Sequence, residues 1–335
     1  MSRGLDITVL VDATEIRVSD PNFETFPEKP TTEHYVIKAL RDLGNEVSVL
    51  GAVDDIGTIV KTLSEQDPDI VFNLTESFCG ERWLDKNIAG LLEMLQIPFS
   101  GTGAMGLMLC RDKGLCKELL SLHKIRVPFF FSLPPGRKIR VAKTVRYPLV
   151  VKPALEDGSE GISNASLVND DRELAERVRF MHERWEQPAI AEEYIKGREL
   201  YVSILGNKRL TVLPIRECYF EFSGNQGPQL ATYRVKWNAE YRNKWNIKFD
   251  FAELDPAMER NISNICKRVY QILHIQDYGR IDLRLTHDNK VVVLEANPNP
   301  DLAYGEDVAE AAGKSGMSYE QFIDCILDHA LRRYD

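Results

Sequence analysis

The chain has no CxxC pair, no apolar run that approaches a membrane span, no internal repeat and no low-complexity stretch. Its six cysteines (79, 110, 116, 218, 266, 325) and six histidines are scattered, without the spacing of a zinc site. That argues for reduced, mostly buried thiols and against a Cys- or His-based metal centre. A basic excess is missing too: 42 Lys and Arg face 51 Asp and Glu, a net charge of −9. Non-specific binding to nucleic acid or to an anionic membrane is therefore not expected. The N-terminus has no signal-peptide layout, so the expectation is a cytoplasmic protein with neither nucleic acid nor membrane as partner. The Walker pattern GxxxxGK[ST] is absent, because "AGKSG" (312–316) has Val308 where the first glycine belongs. "GTGAMG" (101–106) fits GxGxxG, but no acid ends a following strand at the right distance; "RVPFFFS" stands there. A strand-to-helix turn explains it better than a dinucleotide site.

What is present begins as an alternation. "DITVLV" (6–11), "EVSVL" (46–50) and "DIVFNL" (69–74) read as strands. "TTEHYVIKALRDLG" (31–44), "DDIGTIVKTLSEQ" (54–66) and "DKNIAGLLEMLQ" (85–96) read as helices. Such alternation implies a parallel, helix-covered sheet. After "LPPGRK" (133–138) the pattern turns strand-rich, with helices expected near 171–185, over 253–275 and over 318–334. Asp255 and Pro256 are the start signals of the second. The division expected is 1–125, an N-terminal α/β domain; 126–205, a small lobe; and 206–335, a C-terminal lobe.

"GRIDLRLTHDNKVVVLEAN" (279–297) reads as a hairpin turning at Asp288-Asn289. That register pairs Ile281 with Ala296, Leu283 with Leu294 and Leu285 with Val292 on an apolar face. The other face sets Arg280 opposite Asn297 and Asp282 opposite Glu295. Opposed carboxylates repel unless something positive lies between them. Asp282, Glu295 and Asn297 offer hard oxygen ligands of the kind Mg²⁺ takes, and Arg280 would add a cation suited to phosphate. The alternative is an exposed face with salt bridges from Arg280 and Arg284, which a one-residue slip of register would produce.

Four more features share this chemistry. "YPLVVKPALEDGSEGIS" (147–163) delivers Lys152 from a buried strand into a loop with Gly158, Ser159 and Gly161. Glycines let backbone N–H groups approach phosphate, and lysine adds a charge; taken alone, the loop reads better as an ordinary surface turn. "AIAEEYIKGRELYVSILG" (189–206) reads as a hairpin about Lys196-Gly197, with Glu192, Glu193 and Glu199 near its end. In "ATYRVKWN" (231–238) Arg234 and Lys236 share one face if the segment is extended.

The order of these features resembles the ATP-grasp superfamily, and within it the D-alanine–D-alanine ligase-like group. The similarity runs from about residue 70: "GERWLDKNIAGLLEMLQIPFSGTG" (80–103), "CRDK" (110–113), "VVKP" (150–153), "AEEYIKGRELYV" (191–202), "YGRIDLRL" (278–285), "LEANPNPDL" (294–302) and "AAGKSGMSYEQFI" (311–323). The resemblance implies an ATP-grasp fold in which an α/β domain precedes two α+β lobes around the nucleotide. It implies that Lys113 and Lys152 contact ATP phosphates, with Lys152 also near the adenine. Glu192 and the backbone of Glu193 to Ile195 would hold the adenine edge, and Glu199 the ribose. Gly158, Ser159 and Gly161 would close over the phosphates, and Lys236 would reach the γ-phosphate. Asp282, Glu295 and Asn297 would bind two Mg²⁺ ions (or Mn²⁺). Arg280, Lys236 and Ser159 form the implied catalytic set. The implied activity joins a carboxylate to an amine through an acyl phosphate, releasing ADP and phosphate. A homodimer through the N-terminal domain is the family habit.

Two departures bear on the substrate. Strand one leads into "DATEIRVSDPNF" (12–23) in place of the family's GG-x-S-x-E stretch, and Glu15 is the acid closest to that place. After NPxP the family has glycine where this chain has Asp301. Where the family holds the second substrate's carboxylate with a Ser-Leu pair, an ungapped match puts Glu306 and Asp307. Glu76 lies in "LTESFCGER" (74–82), an altered form of the family's HG-x-x-GEDG stretch. Acids there would repel a carboxylate and favour a cationic or hydroxyl-bearing group. The expectation is a ligase for an amino acid, peptide or specialised metabolite whose nucleophile is not plain D-alanine. An authentic D-alanine–D-alanine ligase and a non-catalytic ATP-binding regulator are the alternatives.

Overall fold

The computed structural model describes residues 4–12, 16, 19–137, 139, 145–220 and 230–334, arranged around three sheets. The first is parallel, in the order β2-β1-β3, with β1 Asp6–Asp12, β2 Glu46–Ala52 and β3 Ile70–Asn73. Helices α1 (Thr32–Asp42) and α2 (Ile56–Gln66) are its crossovers. The strands are apolar runs because helices cover both faces. Helices α3 (Asp85–Leu95), α4 (Ala104–Arg111) and α5 (Lys113–Leu122) follow. Asp112 starts α5 by accepting the N–H groups of Gly114 and Leu115, which aims Lys113 and Lys117 from one face.

The second sheet is antiparallel, in the order β4-β7-β5-β6: β4 Phe130–Leu133, β5 Leu149–Pro153, β6 Leu167–Val168 and β7 Ala189–Glu193. Helix α6 (Asp171–Trp185) covers it with Leu174, Val178 and Met181. The third sheet runs β11-β10-β8-β12-β13, with β9 beside β8. Its strands are β8 Arg198–Gly206, β9 Leu210–Val212, β10 Arg216–Phe220, β11 Ile247–Phe251, β12 Tyr278–Leu285 and β13 Val291–Asn297. Helices α7 (Tyr233–Trp237), α8 (Ala239–Lys244), α9 (Pro256–Ile272), α10 (Asp307–Lys314) and α11 (Tyr319–Leu331) complete the chain. The core of the first sheet is shared with the chain's end: Val36, Ile37 and Leu40 of α1 pack with Phe322, Ile323, Ile326 and Leu327 of α11.

Three local expectations are corrected. The segments about Lys196-Gly197 are not a hairpin: β7 pairs with β4 and β5, whereas β8 pairs with β10 and β12. Residues 194–197 instead cross from one sheet to the other, and residues 198–205, grouped with the small lobe, are hydrogen-bonded in the third sheet. Gly197 passes so close to β12 that a Cβ would lie 2.3 Å from the Leu285 carbonyl oxygen. "ATYRVKWN" is not a strand: Thr232 caps the short helix α7, in which Val235 alone is buried. Arg234 and Lys236 therefore do not share a strand face. The hairpin of β12 and β13 turns through Thr286 to Lys290, with Asn289 at φ +59°.

Candidate active site

The β12–β13 hairpin builds the floor of the site. Asp282 stands opposite Glu295 and Arg280 opposite Asn297, as the sequence suggests. Beyond that pair the register shifts by one residue, so Leu283 meets Val293 rather than Leu294. Leu294 is the extra residue of a β-bulge. Its carbonyl accepts a hydrogen bond from Lys117 Nζ at 2.5 Å, and the Val293 N–H donates to the Arg126 carbonyl at 2.9 Å. The bulge takes Leu294 off the core face. It lines a slot between the two antiparallel sheets together with Glu295, Lys152, Glu199 and Lys236.

The opposed carboxylates meet a surplus of cations. Burial pushes Glu295 up, but Lys113, Lys152, Lys236 and Lys117 outweigh it and hold the carboxyl well below the usual range. Asp282 goes the other way: burial raises it, and Arg280 and Lys236 offset only part. Arg280 Nε donates to Asp282 Oδ1 at 2.7 Å, and Lys236 Nζ lies 3.7 Å from Asp282 Oδ2. Among the described residues no three His, Cys, Asp or Glu side chains gather as a metal group. The set here is two carboxylates and a carboxamide. Asn297 Nδ2 is buried without a hydrogen-bond partner among the described residues. The hard-oxygen donors of Asp282, Glu295 and Asn297 fit a divalent cation such as Mg²⁺.

Around the slot, Lys152 Nζ and Lys117 Nζ each lie 3.0 Å from one carboxylate oxygen of Glu192. Burial disfavours the charge on Lys152, but Glu192 and Glu295 more than restore it, and its pKa is raised. Both oxygens of Glu192 are thus paired with lysines, which makes it a buried counterion behind the slot. The Glu193 N–H donates to the Phe129 carbonyl and the Tyr194 N–H to the Pro148 carbonyl. Ile195 is left as the amide of that stretch without such a bond among the described residues. Glu199 pairs with Arg284 and accepts from the Tyr201 hydroxyl at 3.0 Å. The Lys113 ammonium donates to the Glu156 carbonyl, tying α5 to the start of the glycine loop.

That loop is docked. Gly158, Ser159 and Gly161 take φ values of +58°, +62° and +72°. Ser159 Oγ donates to the Ala231 carbonyl at 3.0 Å, and Trp237 Nε1 donates to the Gly158 carbonyl at 3.0 Å. On its other side Asp157 pairs with Arg111, which also pairs with Asp85 of α3. The loop therefore bridges the second sheet, α7, and α3 with α4 beside the first sheet.

Beside the slot, sharing Lys236, opens a cleft of about 580 Å³ whose lining includes Glu76, Arg216, Arg280, Asn297, Asp301 and Asp307. The acids expected to shape the substrate end differ in their bonding. Asp301 accepts from Thr32 Oγ1 at 2.6 Å and from the Ala303 N–H at 2.8 Å, so it ties the loop to α1. Asp307 Oδ1 lies 2.9 Å from Arg216 Nε. Glu306 has no such partner among the described residues, and burial, with Asp301 and Asp307 beside it, raises its pKa. Glu76 lies 3.3 Å from Arg82, and Asp12 at the end of β1 accepts the Glu76 and Ser77 N–H groups. Desolvation raises the Glu76 carboxyl, with Arg82 offsetting part and Asp12, Asp301 and Asp157 adding to it, although 59% of the side chain's surface still meets water, which screens the effect. Glu15 lies outside the described residues.

The "GTGAMG" turn is anchored to residues that flank the β12–β13 hairpin. Its Gly101, Thr102 and Gly103 N–H groups donate to Asp277 Oδ2, Asn299 Oδ1 and Gln276 Oε1 at 2.8, 2.9 and 3.1 Å. The amides that a pyrophosphate would need are therefore occupied. Lys117, Arg216 and Arg111 carry no functional signal of their own in the motifs, and Arg284 reads there only as a surface ion-pair residue. Lys117 alone had a local signal, lying one helical turn after Lys113.

A family model described as "D-ala D-ala ligase C-terminus" matches residues 134–328, more than half of the chain. The chain belongs to the D-alanine–D-alanine ligase-like family. This makes it an ATP-dependent carbon–nitrogen ligase of the ATP-grasp superfamily. It is 31% identical over 265 residues to the D-alanine–D-alanine ligase of Bordetella petrii, covering 78% of this chain and 76% of that one. It is also 32% identical over 304 residues to y4sG, an uncharacterised protein of Sinorhizobium fredii, covering 89% and 87%. The fold matches the crystal structure of D-alanine–D-alanine ligase from Bacillus anthracis complexed with ATP, with a TM-score of 0.73, 21% identity and 98% of both chains covered.

Proposed function

We propose that this ligase-like protein binds ATP in the slot, phosphorylates a carboxylate at the junction of slot and cleft, and passes the acyl group to an amine in the cleft. The observation that carries this reading is the convergence of Lys152, Lys236 and Arg280 with Asp282, Glu295 and Asn297 at that junction. The fold-matched relative complexed with ATP supports the choice of nucleotide.

A carboxylate is a poor acyl donor because its oxygen leaves badly. Attack of a carboxylate oxygen on the γ-phosphorus breaks the bond to the β-phosphate oxygen, giving ADP and an acyl phosphate. A neutral amine then attacks the carbonyl carbon; phosphate leaves, and the amide forms with loss of one proton. Both steps gather negative charge on oxygen, which Lys152, Lys236 and Arg280 stand ready to offset. A divalent cation held by Asp282, Glu295 and Asn297 would supply further neutralisation of phosphate oxygens. The docked loop of Gly158, Ser159 and Gly161 covers the slot, and such cover keeps water from an acyl phosphate. Glu306 and Glu76, both raised in pKa by burial, add acidic groups to the cleft beside Asp301 and Asp307. We read this as selection for an amine other than plain D-alanine.

A mass-spectrometric screen of amino acid and amine pairs with ATP and Mg²⁺ tests the proposal. An amide product formed in step with ADP is expected. Saturable turnover of D-alanine with itself at low millimolar concentration would refute the substrate assignment, and ATP binding with no ADP release from any pair would refute catalysis.

A further inference from the structure

Arg216 on β10 and Arg280 on β12 face the same side of the third sheet, across Tyr201 of β8 that lies between their strands. Both side chains are deeply buried, with 10% and 13% of their surface exposed. Two guanidinium groups so placed at the wall of a cleft would be a ready clamp for a carboxylate. The protein fills that clamp itself. Asp307, the first residue of α10, sends Oδ1 to 2.9 Å from Arg216 Nε, a charge contact without hydrogen-bond geometry, and Oδ2 to 3.5 Å from Arg280 Nη1. Glu310, one turn on, reaches only 3.8 Å from Arg216 Nη1, with 44% of its side-chain surface exposed.

The other cations of the cleft are matched as well. Arg82 faces Glu76, and Arg111 faces Asp85 and Asp157. Lys236 faces Asp282. Arg242 donates to the Val235 and Lys236 carbonyls, and Arg280 and Arg242 together offset only part of the upward shift of Glu306. A substrate carboxylate entering here would either sit against Asp307 or displace it and leave a buried anion unpaired.

We propose that Asp307 is a built-in counterion that closes the Arg216–Arg280 pair to substrate, so that the accepted amine carries no carboxylate beside its nucleophilic nitrogen. Asp307 is then a specificity-determining residue. The inference rests on the ligase reading only in calling the bound amine an acceptor.

The test compares alaninamide with alanine, which share the amine and methyl groups and differ in the carboxylate. Their ratio is read in two ways on the full-length protein. One is kcat/KM from ADP release, with the acyl donor found in the screen. The other is equilibrium binding by ligand-observed NMR in the presence of ADP and Mg²⁺, which needs no turnover. Wild type should favour alaninamide. Asp307→Asn and Asp307→Ser should each shift the ratio toward alanine at least tenfold, and comparing variants cancels the different basicities of the two amines. A ratio unmoved in both folded variants, or a wild-type preference for alanine, overturns the proposal. A binding ratio that shifts as expected without ADP release would sustain this assignment while refuting the ligase reading.

Discussion

Replacing Lys117 by Met probes the buried charge network behind the slot. Lys117 and Glu192 keep 1% and 2% of their side-chain surface. Lys117 makes two contacts, to Glu192 at 3.0 Å and to the Leu294 carbonyl at 2.5 Å. Met has nearly the same length, so the change removes charge and donor while leaving most of the volume filled. Breaking one side of a buried ion pair costs about 3–5 kcal/mol. Here Lys152 remains beside Glu192, which places the expected loss at about 3 kcal/mol, at the lower end of that range. The Leu294 carbonyl would lose its donor, loosening the bulge that holds Leu294 at the slot. Chemical denaturation should report the destabilisation, and direct nucleotide binding should weaken with it. A cycle with Glu192→Gln sharpens the test, because Gln no longer needs two cations. The double variant should be more stable than the sum of the single losses by about 1–3 kcal/mol. Additive losses, or a Lys117→Met variant that loses less than about 1 kcal/mol, would refute the counterion role of Glu192.

Asp282→Asn and Glu295→Gln should each abolish ADP release with far-UV circular dichroism unchanged, and substantial turnover in either would rule out the divalent-cation assignment. Gly197→Ala should lose about 2 kcal/mol of stability, since its Cβ would lie 2.3 Å from the Leu285 carbonyl oxygen; an unchanged denaturation midpoint would mean that the crossover is misplaced. Burial lifts the Asp277 carboxyl to about 6 despite Arg333. Between about pH 4 and 6 the native state therefore holds a proton that the unfolded chain has lost, and the contribution of this group falls by about 3 kcal/mol as pH rises through that window. Asp277→Asn should remove that slope, and superimposable pH–stability profiles for the two proteins would contradict it.

The parts of the site that sequence revealed were those set by local periodicity and by the order of motifs. Asp282 opposite Glu295 and Arg280 opposite Asn297 followed from alternation next to a turn, and the order of the lysines pointed to the nucleotide. The misread elements depended on distant partners. "AIAEEYIKGRELYVSILG" carries every signal of a hairpin, but which neighbours a strand takes is decided by the whole sheet, and β8 finds β12 from 70 and more residues away. "ATYRVKWN" alternates at period two, yet Thr232 caps a helix and the glycine loop docks on it. The bulge at Leu294 left no mark in the sequence, because an inserted apolar residue among valines looks like one more core position. Asp307 could be aligned with a substrate site, but its pairing with Arg216 needed two strands and a helix end brought together.

The sharing of α11 with the first sheet, and of the 101–103 amides with Asp277, Asn299 and Gln276, limits how the protein can be recombined. A fragment limited to residues 134–328 would uncover the apolar side of α11 and leave Asp277 and Asn299 without donors from the first domain. A chimera that exchanges the N-terminal sheet for a relative's must carry the matching α11 from the other end of the chain. Altering the acceptor end of the cleft is then a matter of point substitution within one scaffold rather than of domain exchange.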